Sequence, residues 1–378
     1  MNTAISIERN IYYEKYSFVF VMLTILLTGL GLATLYSGSV HYAQRFFDNP
    51  LYFLTKQTIS LGIAFLCFLF FMLIDLAALR KLIPFMLIAS FLLCVLVFIP
   101  GLGISKNGAT RWLNLFYLKF QPSEFVKLVL VIFLANFFDK NKEHFDMPMK
   151  SILPPFFVSA IFVLLVYFQN DFSTSMFLLF IVLVMFFIAG ASILWFIKGS
   201  LVLLPMAVLM VITSTHRMRR VLSFLYPDHD PLGAGYQVNA ASEALTGGGL
   251  WGMGIGNGIR KIASVPEVYS DFIFVVLGEE MGFIGVCAYL LLLLATSITG
   301  IIIALRSSSR FGTFLAFGAT AAIVFQSILN LAVVVRLVPA TGMPLPFFSF
   351  GGSSLIITLS FCGIIINVSG LKKGGAYV

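Results

Sequence analysis

Residues 266–304 read PEVYSDFIFVVLGEEMGFIGVCAYLLLLLATSITGIIIA. The stretch leaves a polar, glycine-rich segment and enters an apolar run well beyond the ~20 residues that cross a bilayer as a helix. Asp271 stands at the entry, where water meets hydrocarbon, and Glu279 and Glu280 follow about two helical turns deeper. An N-cap would explain Asp271 on its own. It would not explain the two glutamates, and carboxylates inside a span usually mark a functional site.

The rest of the chain extends this reading. It is 60% hydrophobic and 11% charged, with a mean hydropathy of +1.01. Whole segments are apolar all round, which excludes a soluble domain and predicts an all-α integral membrane protein. The first apolar run is too long for a signal-peptide core and no small-residue cleavage site follows it, so it reads as a retained span. Windows at 17–37, 57–77, 82–100, 122–138, 152–169, 172–192, 194–215, 271–304, 312–335 and 349–370 give about ten spans. No soluble domain or internal repeat interrupts them, so residues 1–378 read as one polytopic domain with a large loop at 216–270. Cys67, Cys94, Cys287 and Cys362 lie in apolar runs without CxxC spacing and read as small buried hydrophobes. The four histidines show no ligand spacing, so no protein metal site is read. The net charge of +8 points to membrane lipid headgroups or a phosphorylated lipid rather than to nucleic acid. Counting Lys and Arg does not orient the chain, because both sets of loops carry similar numbers.

Four further constellations could carry chemistry. Arg111 precedes Gln121-Pro122-Ser123-Glu124-Phe125-Val126-Lys127, where Pro122 opens a helix and Glu124 and Lys127 fall at i, i+3. Charges within a span favour the lining of a cavity over a plain surface pair. Asp171 caps the sixth span at the same level, and a Lys127–Asp171 pair is expected to line that cavity. The large loop carries Arg217, Arg219 and Arg220, then Gly235-Tyr236-Gln237, then the glycine run 247–258 with Arg260 and Lys261. Glycines and basic side chains suit a phosphate, although glycine richness alone fits a plain surface loop as well. It is not a Walker A loop. Finally, Gly342-Met343-Pro344-Leu345-Pro346 with Gly351-Gly352-Ser353 breaks the helix before the last span. Gln326 and Asn330, at i, i+4 in the ninth span, read as helix–helix hydrogen-bonding residues.

Together the motifs NGATRW, QPSEFVKL, QNDFSTS, GAGYQ, GMGIGN, PEVYSDFIFVVLGEEMGFIG and MPLPFFSFGGSS resemble, in order and over nearly the whole length, the SEDS proteins (shape, elongation, division and sporulation). The first outer loop and Gly235-Tyr236-Gln237 are more similar to the division-type FtsW branch than to the elongation-type RodA branch. Departures from the family pattern are Asn170 and Ser173 around Asp171, Ala240 after the GYQ element, Phe350 for a common Tyr, and Arg336 for a common small residue.

The resemblance implies a peptidoglycan glycosyltransferase polymerising lipid II at the outer face of the bacterial cytoplasmic membrane, for septal wall synthesis in cell division. It implies cytoplasmic termini, an extracytoplasmic active site and large loop, and a class B penicillin-binding protein and divisome proteins as partners. Asp271 corresponds to the essential acid, and Arg111, Glu124, Lys127, Asp171 and Glu280 to conserved polar positions. Arg217, Arg220, Gln237, Lys261 and Ser353 join them as expected substrate contacts. A divalent cation (Mg2+ or Mn2+) could help the leaving pyrophosphate, and no organic cofactor is expected. An elongation-type polymerase, a lipid flippase or transporter, and a non-catalytic scaffold are the alternatives.

Overall fold

A computed structural model describes residues 2–106, 109–115, 118–141, 151–226, 234–258 and 268–370, with the side chains of all but 2–14, 106, 115, 118 and 234–238. Helices dominate: α1 (Asn2–Phe47), α2 (Tyr52–Leu73), α3 (Leu76–Leu96), α4 (Pro122–Lys140), α5 (Leu153–Phe168), α6 (Phe172–Ile188), α7 (Ile193–Ile212), α8 (Thr215–Leu225), α9 (Ala234–Gly247), α10 (Ile273–Leu305), α11 (Arg310–Val334) and α12 (Gly352–Gly370). Seven of them are long and apolar enough to cross a membrane by length and composition. Two shorter apolar helices, α5 and α6, and the more charged α4 fall where spans were expected.

Close crossings set the bundle. A Cβ at Gly363 of α12 would collide with the Phe68 carbonyl of α2. Asn367 locks the same pair by donating to the carbonyls of Phe71 (2.8 Å) and Ile74 (2.6 Å). At Gly318 an added Cβ would lie 2.6 Å from Met185 Sδ and 2.7 Å from Val131 Cγ1, so α11 crosses α4 and α6 at one small residue. By contrast α7 has no buried residue. It meets α8 and, through Phe196 against Phe187, the end of α6.

Two features depart from the sequence reading. First, the segment at 101–121, read as a polar connection in an all-α chain, folds as a small antiparallel meander. Its strands are β1 (Gly103–Lys106), β2 (Ala109–Leu115) and β3 (Leu118–Phe120). Thr110 N–H donates to the Gln169 carbonyl at 3.2 Å, so the meander is sewn to the end of α5.

Second, α10 is broken at Gly282 (φ 64°, ψ −163°). A regular helix would bond Phe283 N–H to Glu279 O and Ile284 N–H to Glu280 O. Instead the glycine run serves both pairs. Met253 and Gly254 N–H donate to the carbonyls of Glu279 and Glu280, each at 3.0 Å, and Gly249 and Leu250 carbonyls accept from Phe283 and Ile284 at 2.9 and 3.2 Å. Orphaned backbone groups in a membrane protein need such cover. The approach leaves no room for a Cβ: one on Gly252 would strike the Glu280 carbonyl, and one on Gly282 the Gly252 nitrogen. Here the glycines serve backbone-to-backbone packing, and several amides a phosphate would need are already donated.

Candidate active site

The entry to α10 is built on a re-entrant segment. Residues 342–350 hold no regular helix, with Gly342 at φ 72° and Phe347 at φ 69°. Gln326 Nε2 donates to Pro344 O at 2.8 Å. Asn330 Nδ2 donates both to Met343 O (2.8 Å) and to the carbonyl of Asp271 (2.9 Å). Ser349 Oγ donates to Ser270 O at 2.6 Å and accepts from Leu345 N–H at 2.7 Å. Gln326 and Asn330 therefore bind α11 to the re-entrant segment, and Gln326 also makes the helix–helix bond read from the sequence, accepting from Lys127 of α4. The buried amides prevent the prolines and glycines from leaving bare carbonyls.

Asp271 is held at this hub by its backbone. The N-cap of α10 is Phe272, with no side-chain cap bond, so the carboxylate does not cap the helix. Its Oδ1 accepts from Ser270 Oγ at 2.7 Å. A Cβ on Gly342 would lie 3.4 Å from Oδ2, so the backbone of the re-entrant segment lies alongside the carboxylate.

A second carboxylate and two arginines complete the charged surround. Asp171 caps α6 by accepting from Thr174 N–H (3.4 Å), from Arg111 Nη1 (3.3 Å) and from Gln121 Nε2 (3.0 Å). Arg220, on α8, donates from Nη1 to Ala340 O at 3.3 Å. Desolvation depresses the Arg220 pKa first and nearby Arg111 second, while Asp271 and Asp171 oppose them. Four charges from four separated stretches thus share one electrostatic neighbourhood. Arg111 Nε is buried without a hydrogen-bond partner among the described residues, so a donor there is unspent. His216 beside them is kept below the ordinary imidazole range by desolvation and then by Arg220, Arg219 and Arg217. It therefore adds no further cation at neutral pH.

The expected Lys127–Asp171 pair does not form. Lys127 Nζ pairs with Glu124 at 2.8 Å and donates to Gln326 Oε1 at 2.6 Å. The i, i+3 partner on the same helix is nearer than any acid of α6. Both side chains are 2–3% exposed, so they form a buried strut instead of lining an open cavity. Arg217 is also engaged elsewhere: it donates to Tyr167 Oη (3.0 Å) and Met210 O (2.8 Å) and lies over the rings of Tyr167 and Phe172. Arg219 is exposed. Ser353 is buried, accepting from Gln121 N–H (3.0 Å) and donating to Lys119 O (3.2 Å), which positions the neighbour of Asp171. Glu280 is buried and accepts from Ser37 Oγ at 2.5 Å. Gln237 belongs to α9, but its side chain lies outside the described residues, as does Lys261 altogether.

Arg336 joins these parts. It adopts φ 59°, a conformation that costs a side-chain-bearing residue about 1–2 kcal/mol. Its Nη2 donates to Asn239 Oδ1 of α9. The same short turn offers Ala340 O to Arg220 and ends at Gly342 beside Asp271. Arg336→Gly is expected to leave the thermal midpoint equal or higher, since the backbone relaxes, while turnover falls several-fold because α9 loses its tie. Parallel unfolding and turnover measurements check this. A rate that simply follows stability would remove the positioning role.

The class these features define is a polytopic membrane protein with a charged site held between broken helices. Comparison with known proteins gives the family. The family model described as "Cell cycle protein" (FtsW/RodA/SpoVE) matches residues 17–374, and the chain belongs to this family. It is 36% identical to the "Probable peptidoglycan glycosyltransferase FtsW" of Geobacter sp. (strain M18), covering 96% of this chain and 99% of that one. It is 37% identical to "Stage V sporulation protein E" of Bacillus subtilis (strain 168), covering 92% and 95%. Among solved structures it is similar to a chain from "Structural coordination of polymerization and crosslinking by a peptidoglycan synthase complex" (TM-score 0.76, 28% identity, 94% and 98% covered). It is also similar to the Thermus thermophilus rod shape determining protein RodA (TM-score 0.68, 26% identity, 94% and 97% covered).

Proposed function

We propose that this chain is a peptidoglycan glycosyltransferase that polymerises lipid II at the outer face of the cytoplasmic membrane, for septal synthesis. Asp271 acts as general base on the acceptor sugar's 4-hydroxyl. That oxygen attacks the donor's anomeric carbon with inversion, the anomeric C–O bond breaks, and undecaprenyl pyrophosphate leaves. An ordinary Asp is ionised at neutral pH, so it can take a proton, and its weakness as a base is offset by position.

The observation that carries this reading is the charged grouping itself. The Asp271 carboxylate shares its surroundings with Arg220, Arg111 and Asp171, pairing a base with cations suited to a departing pyrophosphate. Of the basic candidates read from the sequence, Arg220 is a described residue whose electrostatic surroundings include Asp271. A divalent cation, Mg2+ or Mn2+, bound with the pyrophosphate would add to that charge stabilisation. The relatives' names and the synthase complex that pairs polymerization with crosslinking support a transpeptidase partner of the class B penicillin-binding type. An outer-face reaction in this reading sets the termini in the cytoplasm.

The test is glycan synthesis from labelled lipid II in detergent, with the partner's transpeptidase site inactivated. Wild type should give polymer. Arg220→Ala should lower the rate on the order of 10²-fold, as loss of a charge-stabilising donor does, and Arg220→Lys should fall less. No polymer from wild type in detergent, together with movement of intact lipid II across vesicles holding the protein, would sink the reading in favour of transport.

A further inference from the structure

The hydrophobic span of α1, Lys15–Phe47, has 33 residues, about 50 Å of helix against ~30 Å of hydrocarbon. One end must stand outside the apolar layer, and the sequence shows that the C-terminal end can: His41, Gln44, Arg45, Asp48, Asn49 and Lys56 cluster there. Yet this wet end carries large exposed rings. Tyr42 is 37% exposed, Phe46 59% and Phe47 44%. Phe47 stacks on Tyr52 with centroids 3.8 Å apart and planes 5° from parallel. Lys56 Nζ caps that pair, bonding Tyr52 Oη at 2.6 Å and lying over its ring.

This aromatic surface continues into the reaction site. Tyr42 packs on Tyr269 (5.1 Å), buried Phe53 on Tyr269 (4.3 Å), and Phe53 on Phe350 (5.0 Å). Tyr269 lies two residues before Asp271, and its carbonyl accepts from Phe350 N–H at 2.9 Å. The ring that Tyr42 packs on is therefore carried by the same stretch of backbone as the carboxylate.

We propose that Tyr42 and Phe47, with Tyr52 stacked behind Phe47, form a stacking platform for pyranose rings of a β-1,4-linked glycan strand, joined to the Asp271 site through Tyr269. This rests on the polymerase reading for its biological meaning. A sugar presents apolar, slightly positive C–H faces that suit the negative face of an aromatic ring. Its hydroxyl and acetamido groups then meet the rim of Lys56, Asn49 and Asp48. An acyl chain would match the rings but not that charged rim. A ring-rich anchor at the membrane interface is the competing explanation.

The experiment uses the full chain in detergent and a soluble β-1,4 N-acetylglucosamine oligomer. Binding to wild type is expected, and Phe47→Ala with Tyr52→Ala should weaken it on the order of tenfold, the scale of one or two ring contacts. Phe47→Tyr with Tyr52→Phe keeps both rings and should keep binding. With lipid II, glycan lengths compared at equal lipid II consumption should shorten several-fold in the Ala pair only. Equal oligomer affinity in wild type and the Ala pair, or altered partition into vesicles as the only change, overturns the platform. Oligomer binding by a wild type that makes no polymer would instead strike the polymerase reading and leave the platform standing.

Discussion

Replacing Asp271 by asparagine or alanine is expected to lower glycan polymerisation by about 10²–10⁴-fold, the range a positioned general base supplies. The fold should survive. Asn330 holds this residue through its main-chain carbonyl, which both variants retain, and the side chain does not cap α10. The asparagine variant preserves shape and the contact with Ser270 while removing the charge. It therefore separates loss of the base from loss of packing. Thermal unfolding of both variants should shift by less than about 1 kcal/mol equivalent, as for an uncapped residue at the edge of the core. Removal of this charge also takes away one of the two carboxylates that favour charged Arg220, so lipid II affinity is expected to change with rate. Full polymerisation by the asparagine variant at equal folding would remove Asp271 as the base.

How much of this was legible beforehand divides along a physical line. Apolar length is a property of composition, so the entry of the helix expected at 271–304 and the helix found at Ile273–Leu305 agree within two residues. The same holds for 122–138 and Pro122–Lys140, where Pro122 marks the first helical position as its missing N–H predicts. Asp271 stood out because an acid at the mouth of a long apolar run needs a reason, and the family motifs supplied one.

What was not legible depends on contacts between distant segments. Nothing in a one-dimensional pattern says that residues 249–254 will supply the hydrogen bonds missing across Gly282. The signal was present in retrospect: a glycine inside a span too long to be one straight helix, and a glycine run with no charge on its tips. The same limit explains Lys127. Sequence spacing offered Glu124, three residues earlier, and Asp171 across the bundle as partners, and the choice fell on the wrong one. Gln326, buried and 199 positions away, is the residue that makes the difference. The strand meander was missed because ATRWLNL alternates weakly, with Ala109 and Leu113 buried but Arg111 and Trp112 both half-exposed.

The second large effect concerns that strut. Glu124 and Lys127 are both almost fully buried, so Lys127→Ala leaves an unpaired acid in the core and should cost about 3–5 kcal/mol of stability. Glu124→Leu combined with Lys127→Met removes both charges at similar volume and should recover most of that loss, since a buried pair roughly balances its own desolvation. Activity is expected to behave differently. Lys127 Nζ also bonds Gln326 Oε1, and Gln326 Nε2 bonds the Pro344 carbonyl of the segment beside Asp271. Without the ammonium group the amide is free to turn, and the backbone that flanks the carboxylate loses an anchor. The double variant should therefore unfold like wild type yet polymerise several-fold more slowly. Recovery of rate together with stability would make the pair a packing element alone. An unchanged thermal midpoint in Lys127→Ala would contradict the burial on which the whole strut depends.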